Sequence, residues 1–513
     1  MTTNVRNIVE KLQTGIVGFD SIANGGLPKG RTTLVAGTAG SAKTVFAAQF
    51  LVRGITDFNE GGVFVTFEET PDDVRRNLLA FGWDISAFEE SGKWAFVDVS
   101  PNAGDDAVIT GDYDLGGLLA RIEYAINKVG AKRVSVDSLG AIFGKFQQQV
   151  IVRRELLRLA MALKKIGVTS ILTAERTVEY GEIARHGIEE FVADNVIILR
   201  NALEAEKRRR TMEILKFRGT DHQKGEFPFT IVGENGIVGV PLSMVKLDQK
   251  SSMTRIKTGN EQLDQMCDGG FFRDSIVLVS GATGAGKTLM STEFLAAAQK
   301  PERCLLFAYE ESRDQLIRNA SGWGLNFEEM EEDGRLKILC EYPETLGLED
   351  HLVKMKDVIE EFSPTRIAVD SLSAMERGAT TKSFREFVLG LTSYIKSKEI
   401  AGLFTSVTPS LMGGTSITEA HISTITDAIV LLRYVEMFGE IGRGVAVLKM
   451  RGSAHDKQIR EFNIDGEGMH IGKPFRNVTG IMSGNPVYVT QGQSERLGQM
   501  FDEDDEGSVI IGR

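Results

Sequence analysis

The phosphate-loop pattern GxxxxGK[ST] occurs twice in this chain of 513 residues, once in full and once with a single departure, and this repeat constrains the fold more than any other feature. Residues 37–44 read GTAGSAKT, and residues 281–288 read GATGAGKT. An apolar, strand-like run precedes each copy, and a helix-like segment follows each, which is the context that confirms the motif. The spacing of 244 residues also relates Gly15 to Gly259 and Gly26 to Gly270. The chain is therefore a tandem duplication.

Each part of the loop has a physical purpose. Glycines let backbone N–H groups approach phosphates closely, and the helix N-terminus adds a favourable dipole. Lys287 is expected to neutralise β- and γ-phosphates, and the Thr288 hydroxyl to bind Mg²⁺. The first copy has Ala42 where the pattern requires glycine. This methyl group is tolerable if the backbone is right-handed, but it costs about 1 kcal/mol or more if φ is positive.

Acidic residues follow the strand-like runs of both halves. Glu68 and Glu69 follow residues 62–67, and residues 304–309 precede a second pair, Glu310 and Glu311. Ligands of parallel α/β sheets bind at the carboxyl ends of strands, so one glutamate of each pair could activate a nucleophile. The alternative is a helix N-terminal turn that favours acids. Runs ending in Asp137 and Asp370 resemble the Walker B strand, whose carboxylate holds Mg²⁺.

Beyond these aspartates, the halves correspond at a spacing of 233 residues, and each ends in a Lys-x-Arg-Gly-x-x-His motif. Lys216 and Arg218 in the first half match Lys449 and Arg451 in the second. Cations two residues apart on a strand share one face, so they could clamp an anion, and in ring-forming ATPases such cations usually serve the neighbour's nucleotide. The alternative is a solvated strand face.

The halves differ most at Ser423 and Thr424, where the first half has Glu190 and Phe191. Thr418 and Glu419 likewise replace Arg185 and His186, so the hydroxyl cluster belongs to the second half alone. These side chains could be turn or capping residues. Opposite an ATP site, they could instead accept a phosphoryl group, which would add about −1.5 to −2 charge.

Composition is ordinary for a globular protein, and the duplicated strand–loop–helix motif predicts an α/β fold with two mostly parallel sheets flanked by helices. The expected domains are 1–240 and 241–485, joined by a polar stretch at 233–255 and followed by a polar, acidic tail at 486–513. A net charge of −12 argues against a broad nucleic-acid-binding face, and for the basic run at 207–210 we favour a solvated hairpin or subunit rim over nucleic-acid contact. No run suits a membrane span or signal peptide, and three cysteines without metal-ligand spacing fit the cytoplasm.

Several longer motifs resemble the KaiC family of circadian clock ATPases and autokinases, which are built from two RecA-like P-loop domains. The resemblance covers about residues 12–485 and is carried by VTFEET at 65–70, AYEES at 308–312, VRREL at 152–156, HISTITD at 421–427 and KMRGS at 449–453. It implies a slow ATPase in the first domain, with Glu68 and Glu69 activating water. It implies an autokinase in the second, with Glu310 and Glu311 as the acids and Ser423 and Thr424 as the acceptors.

The resemblance also implies ATP and Mg²⁺ as cofactors, with Thr44, Thr288 and Glu310 at the metal. The expected first nucleotide site comprises Gly40, Ser41, Ala42, Lys43, Thr44, Val45, Asp137, Lys216, Phe217, Arg218, Thr220 and His222. The expected second site comprises Thr283, Gly284, Ala285, Gly286, Lys287, Thr288, Leu289, Trp323, Asp370, Arg443, Lys449, Met450, Arg451, Ser453, His455 and Lys457.

Partners follow from the same resemblance. It implies a homohexamer with nucleotide between subunits and a KaiB-type partner on the first domain. The divergent acidic tail argues against a KaiA-type partner there, and Glu419 stands where the usual pattern has aspartate. The rival functions are a nucleic-acid-dependent ATPase of the same fold and a non-kinase scaffold that changes shape on ATP binding.

Overall fold

A computed structural model describes residues 9–100, 115–140, 149–183, 192–204, 206–240, 251–408, 422–437, 439–476, 478–481 and 487–488. The chain divides into two compact units, Met1–Val245 and Lys246–Arg513. Several positions discussed above lie outside the described residues: Arg185, His186, Glu190, Phe191, Thr418, Glu419, His421 and most of the tail. Within the described part, no helix is both long and apolar enough to cross a membrane.

The first unit alternates strands and helices. Its strands are β1 (Lys11–Leu12), β2 (Leu27–Pro28), β3 (Thr32–Gly37), β4 (Gly61–Thr66), β5 (Trp94–Asp98), β6 (Ala131–Asp137), β7 (Thr169–Glu175), β8 (Asn195–Glu204), β9 (Lys207–Phe217), β10 (Glu226–Val232) and β11 (Gly236–Gly239). Its helices are α1 (Phe19–Ile22), α2 (Lys43–Phe58), α3 (Pro71–Leu79), α4 (Ile85–Glu90), α5 (Leu115–Val129) and α6 (Gln149–Ile166).

The second unit repeats this pattern. Its strands are β12 (Arg255–Ile256), β13 (Phe271–Phe272), β14 (Ile276–Gly281), β15 (Cys304–Ala308), β16 (Leu336–Cys340), β17 (Arg366–Asp370), β18 (Ala401–Val407), β19 (Ala428–Met437), β20 (Glu440–Met450), β21 (Arg460–Asp465), β22 (Gly468–Pro474), β23 (Val478–Thr479) and β24 (Val487–Tyr488). Its helices are α7 (Glu261–Met266), α8 (Lys287–Ala296), α9 (Arg313–Gly322), α10 (Phe327–Glu332), α11 (Leu348–Phe362), α12 (Leu372–Glu376) and α13 (Thr381–Ser397). Short 3₁₀ turns cover Pro343–Thr345 and Ile422–Thr424.

The two central sheets share one topology of nine strands. The orders are β11-β10-β9-β8-β3-β7-β6-β4-β5 and, in reverse direction, β16-β15-β17-β18-β14-β19-β20-β21-β22. Strands β8 through β5 and β16 through β19 are parallel, and the remaining strands extend each sheet as an antiparallel meander. The strands that lead into the phosphate loops, β3 and β14, are buried at every residue, as expected for parallel strands covered on both faces. The predicted fold class is confirmed.

A buried arginine anchors the same strand position in each unit. Arg133 in β6 donates to the carbonyls of Gln13 and Phe50 at 2.9 and 3.0 Å, and it pairs with Glu60 at 2.7 Å. Arg366 in β17 makes the corresponding bonds to the carbonyls of Lys257 and Phe294 and to Glu302. Each guanidinium thereby joins the lead-in segment, the helix after the phosphate loop and the central sheet.

The prediction that the joining stretch begins at residue 233 is wrong. Residues 233–236 form a tight turn, with the Gly236 N–H donating to the Gly233 carbonyl at 3.2 Å. Strand β11 then pairs with β10, from Phe229 opposite Gly239 to Val232 opposite Gly236. A glycine-rich hairpin and a polar linker have similar compositions, so composition alone does not separate them.

Candidate functional site

The second phosphate loop connects buried strand β14 to helix α8. Gly284 and Gly286 have positive φ values of 78° and 106°, which glycine adopts without strain. Lys287 lies at the first residue of the helix and donates from Nζ to the Ala282 carbonyl at 2.8 Å. Burial lowers the pKa of this amine, opposed by Asp370 and Glu310. A buried ammonium at a helix N-terminus is suited to an anion such as a phosphate.

The first loop has the same geometry but a different residue at the strained position. Lys43 donates to the Thr38 carbonyl at 3.0 Å, and burial likewise lowers the pKa of its amine. Ala42 adopts φ 72° and ψ 30°, the left-handed conformation that Gly286 adopts in the second loop. The sequence left this backbone conformation open. The structure shows the costly alternative, because a Cβ atom in this region clashes with the neighbouring carbonyl.

A hydroxyl and a carboxyl group that could hold a metal ion lie next to the second phosphate loop. The Thr288 hydroxyl donates to Asp370 at 2.7 Å, and Thr405 donates to the other oxygen of the same carboxyl. Burial raises the pKa of Asp370, although both hydroxyl bonds and Lys287 oppose it. A hydroxyl next to a buried carboxylate is a hard oxygen donor set, and a bound cation would offset the cost of burying this charge. These residues therefore fit Mg²⁺.

The glutamate pair lies at the carboxyl end of β15, as predicted. Arg377, just beyond α12, pairs with Glu310 at 2.5 Å. Glu311 accepts a bond from the Asn319 amide at 2.8 Å. Burial, followed by the charge of Asp370, raises the pKa of Glu311. The pair thus lies close to Lys287 and Asp370, where an acid or base can act.

The first unit assembles the equivalent groups with one difference. Burial raises the pKa of Asp137, which accepts bonds from Thr173 and Thr44. Asn77 donates to Glu69 at 2.9 Å, as Asn319 does to Glu311. Glu68, however, accepts a bond from the Ser138 hydroxyl at 2.5 Å, whereas its counterpart Glu310 pairs with an arginine. The position equivalent to Arg377 is glycine in the first half, Gly144.

In the second unit, the predicted clamp residues contact the turn that carries the predicted acceptors. This contact lies at the end of the sheet opposite the phosphate loop. Lys449 donates to the carbonyls of Ser423 and Thr426 at 2.8 and 2.7 Å, and Arg451 donates to the Thr424 carbonyl at 2.7 Å. Thr424 is exposed and Ser423 half-buried. The turn leads into Asp427, whose carboxylate accepts a bond from the first N–H of β14 at 2.9 Å.

This cluster and the phosphate loop of the same unit therefore lie at opposite ends of β14. A six-residue strand spans about 17 Å at about 3.3 Å per residue. The first unit repeats the arrangement, since Lys216 donates to the Ala193 carbonyl at 2.8 Å and Arg218 lies 3.5 Å from Asp194. The motifs predict that the clamp residues and the acceptors lie near a nucleotide. The structure, however, does not place them at the phosphate loop of their own unit.

The remaining predicted residues divide between the two ends. Beside the clamps, the rings of Phe217 and His222 lie 5.7 Å apart, and the Ser453 hydroxyl accepts a bond from Arg255 at 2.5 Å. Thr220, Met450, His455 and Lys457 belong to the same two segments. Gly40, Ser41, Val45, Thr283, Ala285 and Leu289 belong to the loops and their helices. The described contacts of Trp323 are with the hydrophobic core at the end of α9.

Sequence reasoning missed two residues that hold the loops. Arg210 donates to the Gly40 carbonyl at 3.2 Å, and the Tyr434 hydroxyl donates to the Thr283 carbonyl at 3.3 Å. Arg443, the counterpart of Arg210, lies 5.7 Å from the Tyr434 ring. The spacing of 233 residues that relates Arg210 to Arg443 could have revealed the first contact. Arg210 was instead assigned to the basic run at 207–210.

Comparison with known proteins agrees with this geometry. The family model described as "ATPase: KaiC" matches residues 12–243 and again residues 256–475. The chain is 65% identical to the circadian clock protein KaiC3 of Synechocystis over 496 residues, which is 96% of this chain and 98% of that protein. It is 55% identical to the circadian clock oscillator protein KaiC of Thermostichus vulcanus over 493 residues, 96% of this chain and 95% of the relative.

A third relative, the circadian clock oscillator protein KaiC of Synechococcus elongatus, is 54% identical over 493 residues, with 96% of this chain and 95% of the relative covered. Together with the duplicated loops and sheets, these matches confirm the resemblance inferred from the motifs. The protein is thus a nucleotide-binding ATPase with two RecA-like domains, and it belongs to the KaiC family.

Proposed function

We propose that this chain is an ATP-dependent autokinase and slow ATPase whose second domain phosphorylates Ser423 and Thr424 of a neighbouring copy. One observation carries the proposal: the acceptor turn and the phosphate loop lie at opposite ends of β14. The acceptors are therefore presented to the loop of another subunit rather than to their own. In a ring, each subunit would place its phosphate loop against one neighbour and its acceptor turn against the other. The nucleotide would then lie between subunits.

In the second domain, Lys287 and the loop N–H groups would bind the β- and γ-phosphates of ATP. When bound, Mg²⁺ would neutralise charge on those phosphates, held by Thr288 and Glu310 with Asp370 nearby. A glutamate of the pair accepts the proton of the Ser423 or Thr424 hydroxyl. The hydroxyl oxygen then bonds to the γ-phosphorus, the bond to the bridging β–γ oxygen breaks, and ADP leaves.

The first domain, which we assign to residues 1–240, would instead hydrolyse ATP slowly. Glu68 accepts a hydroxyl bond from Ser138 and has no arginine among its described partners, so it can orient or deprotonate water. The second domain would comprise residues 241–485, followed by the tail at 486–513. Free thiols at Cys267, Cys304 and Cys340 accord with a reducing cytoplasm as the proposed location.

A homohexamer is the proposed assembly, with the clamps Lys216/Arg218 and Lys449/Arg451 contacting the neighbour's nucleotide. The names of the relatives support a clock-type partner, and we propose a KaiB-type protein on the first domain. The acidic tail speaks against a KaiA-type partner there. The net charge of −12 speaks against nucleic acid.

The test is phosphopeptide mapping and intact mass measurement after incubation with Mg·ATP. We expect phosphate on Ser423 or Thr424, loss of phosphate in Lys287→Ala, and retention in the matched first-loop variant Lys43→Ala. Replacing Glu310 and Glu311 by Gln should stop transfer while ATP still binds. ATP consumption without phosphate on either residue would contradict the kinase, and stimulation by DNA would then favour the nucleic-acid-dependent ATPase.

Transfer between subunits has its own test. Chains carrying Lys287→Ala keep their acceptors but lose the second loop, and chains carrying Ser423→Ala with Thr424→Ala keep only the loop. When the two are mixed and assembled, phosphate should appear on the Lys287→Ala chains. If mixed assemblies form and those chains stay unphosphorylated, transfer occurs within one subunit and the proposal is wrong.

A further inference from the structure

Glu293 is a buried acid on the phosphate-loop helix that the chemistry above does not use. It lies six residues after Lys287 in α8, and its side chain faces the hairpin of β21 and β22. Oε1 accepts the Met469 N–H at 2.8 Å, whereas the buried atom Oε2 has no hydrogen-bond partner. An ionised oxygen that is buried without a donor is costly.

The first unit shows what this position requires. Its counterpart is Gln49, whose Oε1 accepts the Ile237 N–H at 2.7 Å. The Gln49 amide nitrogen also donates to the carbonyls of Asn235 and Ile237 at 2.9 and 3.2 Å. The two units share one close contact. A Cβ atom on Gly236 would lie 2.6 Å from Oε1 of Gln49, and a Cβ atom on Gly468 would lie 2.6 Å from Oε1 of Glu293. Glu293 carries no N–H group, so in its ionised form it lacks a donor equivalent to the Gln49 amide.

A proton on Oε2 of Glu293 would supply that donor. We propose that Glu293 is a proton-dependent positioning residue of the second nucleotide site, which clamps the β21–β22 hairpin onto the phosphate-loop helix when protonated and releases it when ionised. This inference rests on nucleotide binding at the second loop, and phosphoryl transfer is not needed for it.

The clamp is connected to the loop through two side chains of the hairpin. A Cβ atom on Gly286 would lie 3.0 Å from Cδ1 of Ile464 and 3.2 Å from Cε of Met469. Met469 is the residue whose N–H binds Glu293, so a shift of the hairpin is felt at the glycine that precedes Lys287. Glu293 and Gly286 thus both lie against the β21–β22 hairpin, one within α8 and the other at its start.

The electrostatic surroundings place the proton in a useful pH range. Burial raises the pKa of Glu293 to about 7, opposed by the bond from the Met469 N–H, by the nearby Asn260 amide, which donates to the Met469 carbonyl at 2.5 Å, and by His470. His470 is itself 2.9 Å from Asp465, and Lys257 is 3.6 Å from Asp264. Arg460, at the start of β21, is half-buried and pairs with Asp456 at 2.7 Å. The other charged groups of α7 and the hairpin are exposed, namely Glu261, Glu461, Glu467 and Lys473.

The sign of the effect follows from the raised pKa. Between pH 4.5, the ordinary value, and about 7, the folded state holds a proton that the unfolded state has lost, so stability falls as pH rises through this window. The hairpin should therefore loosen as Glu293 ionises. Affinity of the second site for nucleotide should fall between about pH 6 and 8, by about fivefold or more if the coupling is typical.

The experiment measures the affinity of full-length protein for a fluorescent ATP analogue from pH 5.5 to 8.5, with Lys43→Ala present so that only the second site reports. We expect wild-type Glu293 to lose affinity with rising pH and Glu293→Gln to keep the low-pH affinity throughout. A Glu293→Gln variant that titrates like its parent would overturn the proposal.

Two further measurements keep the proposal testable if Glu293→Gln does not fold. The reciprocal variant Gln49→Glu, with Lys287→Ala present, should make the first site lose affinity as pH rises. Infrared difference spectra of wild type against Glu293→Asp should show a protonated carboxyl band at pH 6 that changes with this residue and vanishes above pH 8. A pH-independent Gln49→Glu site, or the absence of such a band, would refute the clamp.

Discussion

At the scale of single residues, a few exchanges distinguish the two candidate sites. Ala42 adds a methyl group where Gly286 has none, although both have positive φ. Glu293 replaces the amide of Gln49 by an ionisable oxygen. Ser138 and Arg377 present a hydroxyl and a guanidinium to equivalent glutamates. These exchanges alter charge, strain and proton affinity.

Replacing Ala42 by Gly should stabilise the first unit. Relief of left-handed strain gains about 1–2 kcal/mol. The greater entropy of glycine in the unfolded chain costs about 0.4–1 kcal/mol, so a net gain of about 0.5–1 kcal/mol remains. Urea unfolding of the full chain would measure this difference.

The matched control for Ala42→Gly is Gly286→Ala, which should destabilise the second unit. Its methyl group would meet Ile464 at 3.0 Å in addition to the backbone strain. A lower unfolding free energy for Ala42→Gly would show that the methyl group contributes packing that outweighs the strain.

At the scale of elements, each unit depends on the joint between the lead-in segment, the phosphate-loop helix and the central sheet. Arg366 occupies this joint in the second unit and is only 3% exposed. It donates to the Phe294 carbonyl in α8 at 3.0 Å and to the Lys257 carbonyl at 2.7 Å. The helix that carries Lys287 is thereby held against β17, which carries Asp370.

Replacing Arg366 by Met should lower the free energy of unfolding by about 2–3 kcal/mol, because buried carbonyl groups would lose their donors. The control is Arg313→Met, at an exposed ion pair with Glu331, which should change stability far less than Arg366→Met. Denaturant unfolding of both variants measures the difference. Equal effects would mean that the buried bonds contribute no more than a surface pair.

At the scale of the whole molecule, both units separate their loops from their clamps by the length of a central strand. Under the proposed function, such a subunit would carry one half of a nucleotide site at each end of this strand. A site of this kind is complete only when a second copy supplies the other half. Assembly and nucleotide binding are then linked, and each favours the other.

We therefore expect assembly to require ATP. Light scattering or native mass spectrometry should show subunits without nucleotide and hexamers with Mg·ATP. Replacing Lys449 and Arg451 by Ala should weaken assembly more than replacing Arg385 by Ala on helix α13. Stable hexamers in nucleotide-free buffer would contradict the linkage.

The sequence by itself determined the duplication, the fold class and the chemistry of both loops. Their signals are local, because the spacing of glycines and the acids that end apolar strands are set by neighbouring residues. The constant spacings of 244 and 233 residues then related each loop, acid and clamp to its counterpart. The sequence alone also shows that Ala42 is the position at which the first loop departs from the pattern.

Only the tertiary structure decided how these groups are arranged. The positive φ of Ala42 depends on the loop around it, and the partners of Glu68 and Glu310 come from residues about 70 positions away. The carboxyl group of Glu293, whose Oε2 is unpaired, binds through Oε1 to a strand 176 positions further along the chain. The separation of clamp and loop follows from pairing between β14 and β19, which no local pattern specifies, because hydrogen bonds between distant strands form only when the whole sheet is assembled.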